Sequence, residues 1–389
     1  MRRARAWGAL LSAAMVACLP AGVAQAQQGA FQPLPPFVAA YEPQGVDERG
    51  IWMRADEDER ELRDSPLVIK DQKLNAYIRG VLCKTVGDER CGAARIYVVR
   101  VAAFNASMSP NGTLQIWSGL LLRVRDEAEL ASVLGHEFAH FELRHSLRDF
   151  QQRRKASDII AWAGFLGTGG ALIQFSALGS FYSFGRAQEE AADLLSMRYL
   201  AASPYNPNCF ADIWQRMMDE SDATALGRKQ RSTRYDRVAF FANHPTDLQR
   251  TSYLRKIAGP PRGDEGEAQY REGLGHWRGE FLGDQLKLND FGGTDYLLGA
   301  LASSGWTAEL LVARGDLYRM RANPRDLVSA SDFYRAAIVI EPDNADAYRG
   351  LGLALMRGQS LDEGREALRH YLVLRPDAAD AAMISTLLQ

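Results

Sequence analysis

The sequence has few cysteines, little net charge and no shortage of hydrophobic residues. It therefore lacks the features of thiolate metal sites, of nucleic-acid binders and of disordered chains. Among its 389 residues there are only four cysteines and six histidines. The formal net charge of −2 provides no strong basic field that would attract nucleic acid. Hydrophobic residues make up 47% and charged residues 24% of the chain, which argues against a largely disordered protein. The length allows two or three domains.

The N-terminus has the pattern of a secretory signal peptide. Arginines at positions 2, 3 and 5 precede an apolar stretch over residues 7–23. The small-residue pattern Ala24-Gln25-Ala26 then predicts cleavage before Gln27. We therefore predict residues 1–26 to be a signal peptide and the mature protein to be exported.

Two alternatives for the N-terminus remain open. An uncleaved anchor helix would need a longer apolar run, and Pro20 and Gly22 shorten it. Lipoprotein processing at Cys18 would place Met15 three positions earlier, which is a poor fit to that signal. Both alternatives are weaker than cleavage before Gln27.

Cleavage would leave three cysteines and a formal charge of −5. In an oxidising compartment, Cys83 and Cys91 are expected to close a short disulfide loop. Cys209 is then left as a buried thiol. None of the three has the spacing of a metal site.

The coarse secondary structure alternates between helical spacing and short β-branched runs. After an irregular lead-in over residues 27–45, the predicted elements are a helix over 71–83, strands over 95–101 and 113–117, a long helix over 126–150 and a helix over 186–200. Ser109-Pro110-Asn111-Gly112 gives a strong turn signal before the second strand.

Residues 159–185 contain no charged side chain. Their length would allow a membrane span, but glycines at 164, 167, 169, 170 and 179 interrupt the run. A buried or surface-dipping hairpin with peripheral membrane contact is the interpretation that we favour.

The composition changes near residue 260, where Gly259-Pro260-Pro261-Arg262-Gly263 indicates a linker. Beyond it the sequence repeats itself with a period of 34, as in Pro342 and Pro376. The clearest repeats cover about 311–344 and 345–378, and their pattern is that of tetratricopeptide helix pairs. Because one repeat cannot bury its apolar face alone, helices within 265–303 are expected to supply a further pair. An unrelated helical bundle is the alternative.

Three of the six histidines fall within ten residues, at 136, 140 and 145. Residues 134–140 read LGHEFAH and contain the pattern HExxH. Residues four apart lie about 40° apart around a helix, so His136 and His140 can bind one metal ion from the same face. Glu137 lies one step round the helix and can reach a water molecule at the metal. His145, extrapolated along the same helix, points about 140° away and is expected to be structural.

A second helix offers the carboxylates that such a site needs. Residues 186–193 read RAQEEAAD, with Glu189 and Asp193 on one face. Glu189 can be the third metal ligand, and Asp193 can accept the free ring N–H of a ligating histidine. A single membrane crossing at 159–185 would separate His140 from Glu189 and exclude a shared ion.

These motifs resemble the gluzincin metalloprotease family of HtpX and the type I CaaX prenyl endopeptidases. Export together with C-terminal repeats is similar to its BepA-like periplasmic branch. The resemblance covers about residues 45–255 for the protease and 265–389 for the repeats. It implies an α+β, mainly helical fold, with a zincin-type domain and small β-sheet over 27–258 and an all-α tetratricopeptide-repeat domain over 264–389.

The resemblance also implies roles for individual residues. His136, His140 and Glu189 would bind one Zn²⁺ per chain, with Glu137 as general base and Asp193 as a proton donor in some assignments. His244-Pro245 with Arg250 matches an element that stabilises the oxyanion, and His244 would also close the metal site in a latent state. The segment around Asn105 and Ala106 resembles the edge strand that pairs with an extended substrate.

The function implied is a periplasmic zinc endopeptidase that hydrolyses misfolded or misassembled envelope proteins, with repeats that dock on outer-membrane assembly machinery. One alternative is a latent protease that acts mainly as a chaperone or adaptor through its repeats. A membrane-embedded peptidase is a third interpretation, and it would require residues 159–185 to span a bilayer.

Overall fold

The computed structural model describes residues 33–155, 185–232, 238–239, 245–246 and 248–389. The predicted signal peptide, residues 156–184 and His244 lie outside this part of the chain. Where the structure is described, no helix has both the length and the apolar character needed to cross a bilayer.

The first part of the chain is mainly helical around a small sheet, as predicted. Its elements are α1 (Gly45–Asp64), α2 (Gln72–Val86), α3 (Asp88–Cys91), β1 (Arg95–Val99), β2 (Ala106–Met108), β3 (Thr113–Trp117), α4 (Ser118–Arg123), α5 (Glu127–Glu142), α6 (His145–Lys155), α7 (Arg186–Ala202), α8 (Cys209–Gly227), β4 (Val238–Ala239), β5 (Pro245–Thr246) and α9 (Leu248–Ala258). The predicted helices at 71–83 and 186–200 and both predicted strands are confirmed.

The three-stranded sheet has the order β1-β3-β2. β1 runs parallel to β3, with Val98 opposite Ile116, and β2 runs antiparallel to β3, with Ser107 opposite Gln115. All five residues of β3 are buried, because this strand lies in the middle of the sheet. β2 is therefore an edge strand that follows directly on the Asn105 region.

The helix α5 carries the HExxH pattern through the interior. The side chain of Asp126 caps its N-terminus by accepting a hydrogen bond from the Glu129 N–H over 2.7 Å. The predicted continuous helix over 126–150 is wrong, since Arg144 takes a left-handed φ of 56° and the chain restarts as α6. No glycine or proline marks this break, so the sequence pattern does not reveal it.

Small residues let α7 pack closely against α5. A Cβ atom at Gly135 would come within 3.0 Å of Ser196 Oγ and 3.3 Å of Thr85 Cγ2. Ser196 also donates a hydrogen bond to the Ser132 carbonyl over 3.1 Å. This contact lies one residue before His136 and fixes the separation of the two helices that carry the candidate ligands.

The rest of the chain continues as helices. They are α10 (Glu267–Leu274), α11 (Trp277–Leu286), α12 (Phe291–Leu301), α13 (Ala308–Arg321), α14 (Pro324–Ile340), α15 (Ala345–Arg357), α16 (Leu361–Leu374) and α17 (Ala381–Leu387). The pairs α13/α14 and α15/α16 lie where the two clearest repeats were predicted.

One hydrophobic core extends across the predicted linker at 259–263. A single cluster of buried side chains runs from Ile69 on the N-terminal side to Leu317 in α13. A buried polar contact accompanies it, because Arg123 in α4 pairs with Glu220 in α8 over 2.6 Å and donates to Gln285 in α11 over 3.0 Å. The helices after the linker thus pack directly against the part of the chain that contains α5.

The cysteine predictions are confirmed. Cys83 and Cys91 form a disulfide between α2 and α3, and Cys209 is a buried free thiol. Burial, followed by the charge of Asp126, raises the pKa of the Cys209 thiol well above its usual value. Cys209 is therefore held as the neutral thiol.

Candidate metal centre

Two helices bring a pair of imidazoles and one carboxylate to the same point. His136 and His140 on α5 face each other, with their Nε2 atoms 3.0 Å apart. Glu189 on α7 places one carboxylate oxygen 3.5 Å from His136 Nε2 and the other 3.5 Å from His140 Nε2. All three side chains are buried, and their ligand atoms lie within 4.8 Å of one another.

The spacing of these atoms fits a small divalent cation. Ligands at the zinc bond lengths of about 2.0–2.1 Å occupy tetrahedron corners that are separated by about 3.3 Å. Distances of 3.0 and 3.5 Å between the donor atoms agree with such a tetrahedron. Two imidazole nitrogens with one carboxylate oxygen are also a donor set that binds divalent metals, zinc among them. His136, His140 and Glu189 are thus positioned to bind a metal ion.

The second ring nitrogen of His136 is held by Asp193. His136 Nδ1 donates to Asp193 Oδ1 over 2.9 Å, which is the contact expected from the i, i+4 spacing of Glu189 and Asp193. Tyr253 donates a further hydrogen bond to Asp193. With Nδ1 engaged, Nε2 of His136 is directed towards His140 and Glu189. The role of Asp193 as a proton donor stays a prediction.

Arg250 on α9 lies between the two carboxylates. Its Nε and Nη2 atoms each donate to Asp193 over 2.7 Å, and its Nη1 donates to Glu189 over 2.7 Å. The guanidinium also lies 4.8 Å from the ring centroid of Trp214. Nη2 of Arg250 also lies 3.3 Å from Nε2 of His136. Arg250 thus contacts the carboxylates and one of the candidate ligands, and its part in stabilising an oxyanion stays a prediction.

Because His136 and Asp193 are buried, their pKa values depend on the charged groups and hydrogen bonds around them. Burial and the charge of Arg250 lower the pKa of His136, but hydrogen bonds with Asp193 and Glu189 outweigh them and raise it to about 9. Burial raises the pKa of Asp193, yet Arg250 and His136 outweigh it and hold that pKa below its usual value. Asp193 is therefore ionised, and a metal ion must displace a proton from His136.

Two aromatic side chains pack against His136, a contact that the sequence patterns did not indicate. The rings of Phe210 and Trp214 on α8 lie 5.9 and 6.4 Å from the His136 ring, centroid to centroid. Both aromatic side chains are fully buried. They pack against the ring of His136 and restrict its rotation.

The expected orientation of His145 is wrong. Its Nδ1 atom lies 2.9 Å from Nδ1 of His140, and its side chain is only 1% exposed. The extrapolation along one helix failed because α5 ends at Glu142 and the left-handed Arg144 turns the chain back. His145, the first residue of α6, thereby faces the metal ligand rather than pointing away from it.

The remaining predicted residues are placed as follows. Glu137 lies on α5 beside His136 and is buried. Asn105 is used within the sheet, because its carbonyl accepts from the Trp117 N–H over 3.0 Å. His244 lies outside the described residues. Ala106 lies on the edge strand β2, immediately after Asn105.

The ladder defines which backbone groups of β2 face outwards. Ser107 is opposite Gln115, and Ser109 donates to the Thr113 carbonyl over 2.9 Å, so these odd-numbered residues bond to β3. In an antiparallel pair the intervening residues direct their N–H and C=O groups the other way. Ala106 and Met108 therefore direct these groups away from β3, to an edge that pairs with no strand in the described ranges and at which both residues are buried.

A small apolar pocket adjoins His140 at the end of β2. It is formed by the N-terminal segment, α1, β2 and the α5–α6 junction, with lining residues that include Tyr41, Trp52, Met108, His140, Phe141 and Leu147. Tyr41 and Trp52 pack against each other with ring centroids 5.8 Å apart. The pocket thus links the edge strand to one of the metal ligands.

Comparison with known proteins agrees with this geometry. The model of peptidase family M48 matches residues 69–258. The mitochondrial metalloendopeptidase OMA1 of Schizosaccharomyces pombe is 31% identical over 164 residues, which cover 42% of this chain and 45% of that protein. The beta-barrel assembly-enhancing protease of Yersinia pestis is 27% identical over 177 residues, 42% of this chain and 36% of the relative.

The chain therefore spans less than half the length of these curated relatives. The family match nevertheless contains the edge strand, the HExxH helix α5, the helix α7 with Glu189, and Arg250. Residues 69–258 of this chain therefore match peptidase family M48 in sequence and in the residues brought together at the candidate site.

Proposed function

We propose that this protein is an exported, zinc-dependent endopeptidase that hydrolyses peptide bonds of misfolded or misassembled envelope proteins. The observation that carries the proposal is the convergence of His136, His140 and Glu189, whose ligand atoms lie within 4.8 Å of one another. The peptidase family match over residues 69–258 supports the same chemistry.

Different residues of this chain would bind the metal, transfer the proton and hold the ligands in place during peptide hydrolysis. His136, His140 and Glu189 would hold one zinc ion, which when bound supplies a Lewis acid for the scissile carbonyl and lowers the pKa of nearby water. Glu137 accepts a proton from the attacking water at its carboxylate and returns it to the leaving amine. Asp193 fixes the ring of His136, and Arg250 balances the charge of the two buried carboxylates.

An extended polypeptide is the substrate that the edge strand suits. The N–H and C=O groups of Ala106 and Met108 that point away from β3 would pair with a substrate strand by backbone hydrogen bonds once this edge, at which both residues are buried, is uncovered. Such pairing requires an unfolded or locally unfolded chain, because a folded protein has no free strand to offer. This supports a preference for misfolded proteins over intact ones.

We also propose that the protein acts in the periplasm and docks on a protein partner. The predicted signal peptide and the Cys83–Cys91 disulfide support export to an oxidising compartment. The helix pairs α13/α14 and α15/α16 fit tetratricopeptide repeats that would provide a concave surface for a protein partner. The relative from Yersinia pestis carries beta-barrel assembly in its name, which supports outer-membrane assembly machinery as that partner.

The decisive comparison is between wild type, Glu137→Gln and the control Glu190→Gln. Glu190 is exposed on α7, adjacent to Glu189, so the control changes charge beside the site without touching the ligands. With an unfolded outer-membrane protein as substrate, we expect Glu137→Gln to retain zinc and to lose cleavage by a factor of at least about 100. Glu190→Gln should cleave as wild type does.

Two outcomes would contradict the proposal. Equal cleavage by wild type and Glu137→Gln would show that this carboxylate takes no part in hydrolysis. Absence of cleavage by either protein, with binding of the unfolded substrate intact, would favour the alternative of a latent protease that acts as a chaperone or adaptor.

A further inference from the structure

We propose that His145 is a positioning residue that orients the metal ligand His140. This inference rests on the proposed metal site, and it assigns to a third histidine a role that the HExxH pattern does not contain. His145 acts through His140 and does not touch the metal or the substrate.

The contact between the two rings is close and buried. His145 Nδ1 lies 2.9 Å from His140 Nδ1, and each side chain is 1% exposed. The ring planes meet at 75°, with centroids 4.8 Å apart, so the two nitrogens meet edge to edge rather than by stacking. This geometry is that of a hydrogen bond between imidazoles.

The direction of that hydrogen bond follows from the metal site. His140 Nε2 faces His136 Nε2 and Glu189, so its lone pair is needed for the metal. The proton of a neutral His140 ring must then lie on Nδ1, which donates to Nδ1 of His145. His145 is thereby assigned as the acceptor, with its own proton on Nε2.

Each of the two histidine ligands then has a hydrogen-bond partner at its Nδ1 atom. His136 has its Nδ1 held by Asp193 over 2.9 Å, and His140 has its Nδ1 held by His145 over the same distance. Both Nε2 atoms are directed to the same point as a result. Partners of this kind fix the tautomer and the orientation of a ligating imidazole.

The backbone holds His145 in this position from two sides. Arg144 precedes it with a left-handed φ of 56° and turns the chain at the end of α5. Gln188, next to Glu189 on α7, donates to the His145 carbonyl over 3.5 Å. The helix that supplies the third ligand is thus also connected to the residue that orients the second.

Two substitutions of matched shape isolate the hydrogen bond. In His145→Asn the amide oxygen can occupy the place of Nδ1, since both atoms are bonded to Cγ, whereas His145→Leu has a similar outline and no acceptor. Zinc affinity is measured by competition with a chromophoric chelator, and the thermal unfolding of the metal-free protein is measured in parallel. We expect His145→Leu to weaken zinc binding 10- to 100-fold and His145→Asn to stay within about threefold of wild type.

A purely structural role would give a different result. Leu62→Ala, which removes a fully buried side chain of α1 from a separate hydrophobic cluster, should lower the unfolding temperature and leave zinc affinity unchanged. If His145→Leu behaves in the same way, or if Asn and Leu weaken zinc binding equally, the inference is overturned.

A measurement on the zinc-loaded wild-type protein does not depend on whether the variants fold. Nitrogen-15 NMR of the histidine rings should show a protonated Nδ1 at His140 and an unprotonated Nδ1 at His145, and the opposite tautomers would overturn the assignment. If wild type binds no zinc at all, the proposed function fails. If wild type binds zinc but the tautomers or the matched pair disagree, this inference alone fails.

Discussion

The carboxylate of Asp193 accepts a hydrogen bond from Nδ1 of His136 over 2.9 Å, with both side chains buried in the interior. The two residues belong to different helices, α5 and α7, so the bond depends on how those helices pack. Gly135 permits that packing, since a Cβ there would approach Ser196 Oγ to 3.0 Å. The metal site and the helix interface are therefore parts of one arrangement.

Asp193→Ala tests the importance of this bond for metal binding. We expect zinc affinity to fall 10- to 100-fold, because the ring of His136 loses its orienting partner. The loss also leaves the buried Arg250 with one carboxylate instead of two, so the unfolding free energy should fall by about 3–5 kcal/mol. Chelator competition and urea unfolding measure the two effects, with Glu190→Gln as the control for charge on α7. Unchanged zinc affinity would refute the role of Asp193.

Ala106→Pro tests the edge strand as a substrate platform. Proline removes the N–H that points to the outer edge and leaves the Ser107 ladder with β3 in place. Loss of one backbone hydrogen bond to the substrate should lower kcat/KM for an unfolded protein about tenfold. Ser107→Pro, which breaks the ladder itself, should instead lower the unfolding temperature. A normal kcat/KM in a stable Ala106→Pro protein would exclude pairing at this edge.

The Cys83–Cys91 disulfide is predicted to stabilise the protein through the unfolded state. The two cysteines are eight positions apart, and closing a loop of this size corresponds to about 2–3 kcal/mol in the chain-entropy model. The double substitution to serine should reduce the unfolding free energy by this amount. Reducing agent should bring wild type to the same value and leave the variant unchanged; a further loss in the variant would point to another cause.

The ionisation of Asp126 is predicted to make the unfolding free energy depend on pH. Burial, followed by the charge of Glu129, raises its pKa from the usual 3.8 to about 7. Its protonated form therefore stabilises the folded state below about pH 4, and this contribution is lost as the pH rises through 7. Asp126→Asn keeps an oxygen that can accept from the Glu129 N–H but has no proton to lose.

The stability of Asp126→Asn relative to wild type should consequently rise with pH. Between about pH 4 and pH 7 the difference in unfolding free energy should grow by up to about 1.4 kcal/mol per pH unit. The other charged groups near Asp126, namely Arg125, Glu129 and Glu265, are common to both proteins and cancel in the difference. Urea unfolding at pH 5 and pH 8 measures it, and a difference independent of pH would show that Asp126 is ionised throughout.

Much of the fold follows from local signals in the sequence. The cap at Asp71, which accepts from the N–H groups of Lys73 and Leu74, begins α2 where the apolar spacing begins. β3 coincides with the predicted strand over 113–117. Both elements are specified by residues close together in the chain, and for that reason the pattern alone predicts them.

The parts that the sequence does not reveal depend on contacts between distant residues. Arg144 adopts its left-handed conformation in a stretch without glycine or proline, so the direction of His145 could not be predicted. Arg250 joins Asp193 and Glu189 only because α9 packs on the site. The core that continues from Ile69 to Leu317 likewise passes across a segment with the composition of a linker.

The most direct test of the whole account is the zinc content of the purified, dialysed protein. We predict one zinc ion per chain in wild type and in Glu190→Gln, and loss of that ion in His136→Ala and in Glu189→Ala. Because Glu189 comes from a different helix, its loss distinguishes a site built by α5 and α7 together from two histidines acting alone. A wild-type protein without zinc, or a Glu189→Ala variant that binds zinc as tightly as wild type, would contradict the account.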